Sequence, residues 1–192
     1  MRANGRTVLA GAIVLCFGTT LSSAQDLTNP SFEEPELVKD NPWGDLAAGW
    51  GRWGNWMNRE TQWQPTHSGE CLMGYHHWQI EQKDPSGFYQ DIPNIPDGTP
   101  CVFSIHAYRD EGTNVDSVEL RIEKLGGYGT FGSRVFTSSD IRKNGWGRLS
   151  VSATTEGDEG IRVLVVVTPC QDGIRNGAVK FDDAELSVRF GE

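Results

Sequence analysis

The chain has 192 residues, with 17 lysines and arginines against 26 aspartates and glutamates, and a formal net charge of −9 at pH 7. This length predicts one domain, and the negative charge argues against nucleic acid and anionic membranes as partners, because the surface repels their phosphates. Hydrophobic residues at 37% and charged residues at 22% indicate a soluble globular protein, with more glycine and tryptophan than a helical bundle uses.

The first 24 residues have the pattern of a secretory signal peptide. Arg2 and Arg6 precede an apolar run at residues 8–17, and small residues follow at Ser22 and Ala24. The apolar run is shorter than the roughly 20 residues that a transmembrane helix needs. We therefore expect residues 1–24 to be removed and the mature protein to be secreted, either extracellular or periplasmic. A retained membrane anchor is the alternative.

Three cysteines remain in the mature chain, at Cys71, Cys101 and Cys170. An oxidising compartment permits a disulfide, so at most one intramolecular bridge can form, in any of three pairings. Buried free thiols are the alternative, and the sequence does not choose between the two.

Apolar residues of the mature chain recur with a period close to two, which predicts an all-β domain. Residues 161–168 are nearly continuous in valine and leucine, so this strand is expected at the centre of a sheet with both faces covered. In the last strand the alternation slips near Asp182 and Asp183, where a β-bulge would change its phase. The clearest half-buried strands cover residues 101–108, 118–123 and 148–153.

Turn sequences rich in glycine, proline and aspartate separate these strands at the spacing of a sandwich. They lie at residues 84–87, 95–98, 125–127, 156–160 and 171–173. No internal repeat, low-complexity tract or linker divides the chain. We therefore predict one two-sheet antiparallel β-sandwich, a jelly roll of about nine strands, over residues 26–190.

Six short motifs follow one another along the mature chain. They lie at residues 27–33, 49–50, 66–72, 88–105, 145–149 and 179–186. Together they resemble the jelly-roll carbohydrate-binding modules of families 4, 9 and 22, whose pattern runs from Asn-x-x-Phe-Glu to an aromatic-x-Asp-Asp-x-x-Leu. Phe181 stands directly before the two acids here, which is a small departure from that pattern. The resemblance implies a galactose-binding-like β-sandwich that binds sugar.

The resemblance also implies a structural calcium ion between the two ends of the chain. Glu33 and Asp182 each lie beside an aromatic residue and match positions at which the family brings two carboxylates together. Calcium takes about six to eight oxygen ligands, and the family adds backbone carbonyls from the segment that matches residues 67–70. The alternative is that both acids are solvated surface groups.

Tryptophans are concentrated in one part of the chain, and sugar rings stack their apolar faces on such indoles. Trp50 matches the family's Gly-Trp position and is expected in the core, as is Trp146. Trp53 and Trp56 lie in a glycine-rich segment and are the predicted stacking platform. The alternative is that they only cover one end of the sandwich. The dense segment contains Trp43, Trp50, Trp53, Trp56 and Trp63.

Two consecutive strands are expected to supply the polar part of a sugar cleft. His106 and Tyr108 alternate with core residues, so they point towards the face that the family uses for sugar. Glu119 and Arg121 are expected to do the same on the following strand. These side chains suit hydroxyl groups, which both donate and accept hydrogen bonds, although an ordinary solvated sheet face is the alternative. Gln90 falls among apolar positions and is interpreted as a buried amide.

No motif for nucleophilic, zinc-peptidase, phosphate-binding or dinucleotide chemistry occurs in the chain. His76 and His77 are adjacent, so on a strand they point to opposite faces and cannot share a zinc ion. The predicted function is a secreted, monomeric, non-catalytic protein that binds a poly- or oligosaccharide and calcium, with no nucleic acid or membrane partner. A polysaccharide lyase or glycoside hydrolase on the same jelly roll is the first alternative, because the 26 acidic residues offer many possible pairs of catalytic carboxylates. A cell-surface or matrix structural protein is the second.

Overall fold

The computed structural model describes residues 23–24, 27–36, 46–54, 57–76, 83–112, 115–157, 159–171 and 177–189. Most of the predicted signal peptide lies outside these residues, as do Trp43, Trp56 and Trp78. Within the described residues, no helix is long and apolar enough to cross a membrane.

Thirteen strands make up the domain. They are β1 (Ser23–Ala24), β2 (Pro35–Glu36), β3 (Leu46–Ala47), β4 (Gly51–Trp53), β5 (Met57–Glu60), β6 (Leu72–Tyr75), β7 (Ser86–Pro93), β8 (Pro100–Arg109), β9 (Val115–Lys124), β10 (Thr130–Thr137), β11 (Trp146–Thr154), β12 (Gly160–Pro169) and β13 (Val179–Val188). Nine of these, β5 to β13, have at least four residues, in agreement with the number expected from the alternation.

The strands form two antiparallel sheets that pack as a sandwich, which confirms the predicted fold class. The first sheet has the order β11-β8-β13-β6-β5, with β1 paired to β13. The second sheet has the order β10-β9-β12-β7-β4, and β2 and β3 form a separate short pair. Consecutive strands β8 and β9 therefore belong to different sheets, which decides where their outward side chains point.

Alternating apolar side chains of both sheets fill the space between them. Strand β12 lies at the centre of the second sheet, and it is buried on both faces as predicted, including its outward Leu164 and Val166. The inward rows contain Phe103, Ile105 and Ala107 of β8, Val118, Leu120 and Ile122 of β9, and Val163, Val165 and Val167 of β12.

The segment before β4 is anchored to this core by an indole and an amide. Trp50 is buried, and its ring centroid lies 5.2 Å from that of Phe32 and 5.5 Å from that of Phe88. Gln90 accepts a hydrogen bond from the Thr28 amide at 2.8 Å and donates one to the Thr28 carbonyl at 2.9 Å. Both side chains are structural, as the sequence predicts.

The three described cysteines are buried free thiols, so no disulfide links Cys71, Cys101 and Cys170. Burial raises the pKa of the Cys101 thiol to about 11, which makes its reactive thiolate rare near neutral pH. Of the two possibilities that the sequence left open, the described residues therefore show buried free thiols and not a disulfide.

Strand β13 contains the predicted bulge. Its register against β8 shifts between Asp182 and Glu185, and Asp183 has a φ of 46°. This left-handed conformation is uncommon for residues other than glycine, asparagine and aspartate. The bulge turns two successive acidic side chains towards the loop between β5 and β6.

Candidate functional site

A loop at residues 61–71, between β5 and β6, lies over the outer face of the first sheet. Trp63 packs on Gly74, where any added β-carbon would collide with the indole, so glycine is required for this approach. The carbonyl of Gln64 accepts a 2.7 Å hydrogen bond from the Lys180 ammonium of β13. Further along, the ring of His67 stacks on that of His106 at 3.8 Å. We call this segment the β5–β6 loop.

The β5–β6 loop forms one side of a pocket of about 390 Å³. The indole of Trp63 forms a wall, with the His76 ring nearly perpendicular to it at a centroid distance of 6.1 Å. The polar lining comes from Gln62, Gln64, His76, Asp110 and Lys180. The pocket thus combines one aromatic plate with hydrogen-bond donors and acceptors, and we call it the Trp63 pocket.

An ion pair between a buried lysine and a partly exposed aspartate forms the floor of the Trp63 pocket. The Lys180 side chain is only 6% exposed, and its ammonium lies 3.0 Å from Asp110 Oδ1 and 4.6 Å from the centroid of the Tyr108 ring. The other Asp110 oxygen accepts a 2.9 Å hydrogen bond from the Ala178 amide. Because a buried charge is tolerated only when it is paired, these contacts hold both groups in place.

Next to the pocket, two histidines and an aspartate form a compact cluster. His67 Nδ1 lies 2.5 Å from Asp183 Oδ2, and the planes of His67 and His106 are inclined by only 14°. Burial, and then the neighbouring charge of His67, lowers the pKa of His106. The ligand atoms of these three residues all lie within 4.8 Å of one another. We call them the His67 cluster.

Trp146 belongs to this outer surface, so its predicted place in the core was wrong. It pairs with Tyr108 across the first sheet, and their ring centroids are 5.5 Å apart. Leu149 and Val151 are the inward residues of β11, and the period of two therefore sends Trp146 outwards. Tyr108 also points outwards, but Trp146 and Lys180 cover it so well that little of its ring faces solvent.

Asp182, one of the two predicted calcium ligands, is fully buried beneath the β5–β6 loop. Its Oδ2 accepts hydrogen bonds from the His67 amide at 2.8 Å and the Ser68 amide at 3.0 Å. Its Oδ1 accepts one from the Asp183 amide at 2.8 Å. Burial raises the pKa of Asp182 to about 6, although these amides favour the carboxylate.

Glu33, the other predicted ligand, reaches the far end of the same loop. Its Oε1 accepts hydrogen bonds from the Cys71 amide at 3.0 Å and the Glu70 amide at 3.1 Å. The two carboxylates therefore bind one loop from opposite ends of the chain. The contacts in the structure are made by amide N–H groups of the loop, whereas the resemblance implied carbonyl oxygens as ligands.

The structure does not bring the predicted sugar-binding residues together. His106 and Tyr108 lie on the outer face of the first sheet, whereas Glu119, Arg121 and Trp53 lie on the outer face of the second sheet. Outward side chains of β8 and β9 point in opposite directions, because these consecutive strands belong to different layers. A single cleft lined by all of them is therefore ruled out, and Trp56 lies outside the described residues.

On the second sheet, the predicted residues have local partners. Arg121 pairs with Glu119, Nη2 to Oε2, at 2.7 Å. The Trp53 side chain is exposed and its indole lies against Gly87.

Sequence reasoning missed most of the Trp63 pocket. A usable signal was present at Trp63, where two glutamines flank the indole and offer amides beside an aromatic surface. Asp110 and Lys180 carried no such signal, because they meet only through the pairing of β8 with β13, across 70 residues of sequence.

No protein-family model matches the chain, and no curated protein matches its sequence. Solved structures do match its fold. The apo form of a cyclase from Fischerella sp. has a TM-score of 0.64 at 14% identity, over 89% of this chain and 98% of that one. TmCBM61 in complex with β-1,4-galactotriose has a TM-score of 0.54 at 18% identity, over 86% and 97%. The CBM22-1 xylan-binding domain of Paenibacillus barcinonensis Xyn10C has 0.52 at 13%, over 84% and 93%.

At these identities the likeness shows the fold alone. Both cyclases and carbohydrate-binding modules have this sandwich. The structures that this chain resembles thus include jelly-roll carbohydrate-binding modules.

Proposed function

We propose that this chain is a secreted, monomeric, non-catalytic carbohydrate-binding protein that holds a poly- or oligosaccharide in the Trp63 pocket. The observation that carries the proposal is the lining of this pocket, an indole wall beside amide, imidazole and carboxylate groups. Sugar rings stack their C–H faces on an indole, and their hydroxyls need partners that donate and accept. The sugar-binding modules among the similar structures support the same assignment.

Packing and hydrogen bonds hold the side chains that line the pocket in place. Trp63 is seated against Gly74, and the ion pair between Lys180 and Asp110 is fixed by the Gln64 carbonyl and the Ala178 amide. Side chains that are already ordered lose little conformational entropy when a ligand binds. Because this ion pair is neutral overall and the whole chain is acidic, a neutral glycan fits better than a strongly anionic polymer.

Affinity gel electrophoresis against a panel of soluble neutral polysaccharides, including xylan and β-1,4-galactan, tests this proposal. The protein should be retarded by at least one polymer, and Trp63→Ala should remove the retardation. Tyr128→Ala is the control, because Tyr128 is 84% exposed at the turn between β9 and β10. Loss of retardation in Trp53→Ala but not in Trp63→Ala would move the site to the second sheet. Retardation by no polymer would refute carbohydrate binding.

The non-catalytic part of the proposal has its own test. Incubation with the retarding polymer should deplete it onto the protein without new reducing ends or unsaturated products. Either product would make the chain a glycoside hydrolase or a lyase. In that case Asp110, which is 34% exposed in the pocket, is the first carboxylate to replace.

The proposal includes a structural calcium ion held by Glu33 and Asp182. Their carboxylates bind the same loop, and Asp182 is fully buried with no ion-pair partner among the described lysines, arginines and histidines. A carboxylate offers about four lone-pair directions, and the three amides at Asp182 leave room for a cation. Calcium would supply the positive charge that this buried group lacks.

A further inference from the structure

The His67 cluster is a second group of ligand-type side chains, apart from the Trp63 pocket. Its three members come from different elements: His67 from the β5–β6 loop, His106 from β8 and Asp183 from the bulge of β13. One ligand atom of each lies within 4.8 Å of the other two. We propose that His67, His106 and Asp183 bind a divalent transition-metal ion of the Zn²⁺ type.

The donor set favours such an ion over calcium. Two imidazoles and one carboxylate are typical ligands of zinc, at about 2.0–2.2 Å, and three protein ligands leave a fourth position for water. Calcium and magnesium instead prefer a shell of oxygens. The proposed ion is therefore distinct from the calcium assigned to Glu33 and Asp182.

An unpartnered nitrogen points to a missing ligand in the cluster. His106 Nδ1 is buried, and no group in the described part of the chain hydrogen-bonds to it. Buried polar atoms in folded proteins almost always have a partner. The other members are already engaged, since Asp183 accepts from the Ser68 hydroxyl at 2.7 Å and pairs with His67. A metal ion on the His106 nitrogen would complete the cluster.

The observed stack must open when the ion binds. A metal lies close to the plane of each imidazole that binds it, and two nearly parallel rings 3.8 Å apart cannot share one ion. His106 is fixed on β8, whereas the His67 side chain lies on a loop and is 33% exposed. His67 is therefore the ring that turns. This movement changes its edge contact with Trp146, whose ring centroid lies 5.5 Å away.

Titration of the untagged, chelator-treated protein with zinc sulfate, followed by isothermal calorimetry, tests the proposal. We expect one Zn²⁺ per chain with a dissociation constant in the micromolar range or tighter. His106→Gln and Asp183→Asn should each weaken binding by about tenfold or more. His77→Gln is the control for zinc binding by a histidine outside the cluster, and Glu156→Gln, at an exposed acid between β11 and β12, should also keep the affinity. Circular dichroism of the metal-free variants checks that each is folded.

Fluorescence provides the second readout. Zinc should change the tryptophan emission of the wild type, and this change should be lost in Trp146→Phe although that variant still binds zinc. Absence of binding below millimolar zinc would overturn the proposal. So would an affinity that His106→Gln leaves unchanged, or displacement of zinc by millimolar calcium, which would identify an oxygen site.

Discussion

The calcium assignment leads to a substitution that separates charge from hydrogen bonding. Glu33 uses mainly one carboxylate oxygen, Oε1, for the amides of Glu70 and Cys71. In Glu33→Gln the amide oxygen can keep these two bonds while the NH₂ group takes the other position. Asp182 lacks this freedom, because amides approach both of its oxygens. Glu33→Gln therefore removes the charge with little other damage, whereas Asp182→Asn forces an NH₂ group against a donor.

The expected size of the effect follows from ligand linkage. Calcium at about 100 times its dissociation constant stabilises the folded chain by about 2.7 kcal/mol, which corresponds to a rise in Tm of about 5–10 °C for a domain of this size. Glu33→Gln should lose most of that rise while its Tm in chelator stays near that of the wild type. Asp182→Asn should cost about 1–3 kcal/mol even in chelator, because a buried amide donor loses its acceptor.

Differential scanning calorimetry with calcium chloride and with EDTA measures both quantities. Glu156→Gln is the matched control, because Glu156 is exposed in the turn between β11 and β12. A Tm that responds to neither calcium nor EDTA would show that Glu33 and Asp182 act only through the loop amides. A full calcium response in Glu33→Gln would contradict the assignment of that ligand.

Three further outcomes follow from the packing. Gly74→Ala should displace the indole of Trp63 and lower the affinity for sugar at least about tenfold. A calorimetric titration with the retarding glycan measures this affinity. An unchanged affinity would mean that the indole is not the stacking platform. Trp50→Ala should cost about 3–5 kcal/mol in urea denaturation, because it empties a buried site, and a loss under about 1 kcal/mol would contradict this packing. The three buried thiols should resist a thiol reagent in the native mature protein and all react in guanidinium chloride, whereas fast native labelling would contradict their burial.

The sequence predicted the fold well because the periodicity of apolar residues is a local signal. The alternation in β8 and β9, the double burial of β12 and the bulge after Asp182 all follow from which side chains face the core. Gln90 was assigned correctly by the same reasoning. Trp146 could have been placed correctly too. It lies an odd number of residues from the inward Leu149 and Val151 of β11, so the alternation points it outwards.

The candidate site was harder to predict because it depends on which sheet each strand joins. The alternation of apolar residues distinguishes inward from outward side chains, but it does not reveal that β8 and β9 belong to different sheets. Glu119 and Arg121 were therefore grouped with His106 although a whole sandwich separates them. The contacts of Trp63 with Gly74 and of Lys180 with Asp110 join distant parts of the chain. No local pattern encodes such pairs.

The most direct test of the central claim is where the sugar touches the protein. Indole N–H resonances of the tryptophans, assigned by single Trp→Phe variants, are followed by NMR during titration with an oligosaccharide from the retarding polymer. The Trp63 resonance should shift in proportion to saturation, while that of Trp53, on the opposite face, stays in place. A shift at Trp53 with a silent Trp63 would contradict the assignment of the Trp63 pocket.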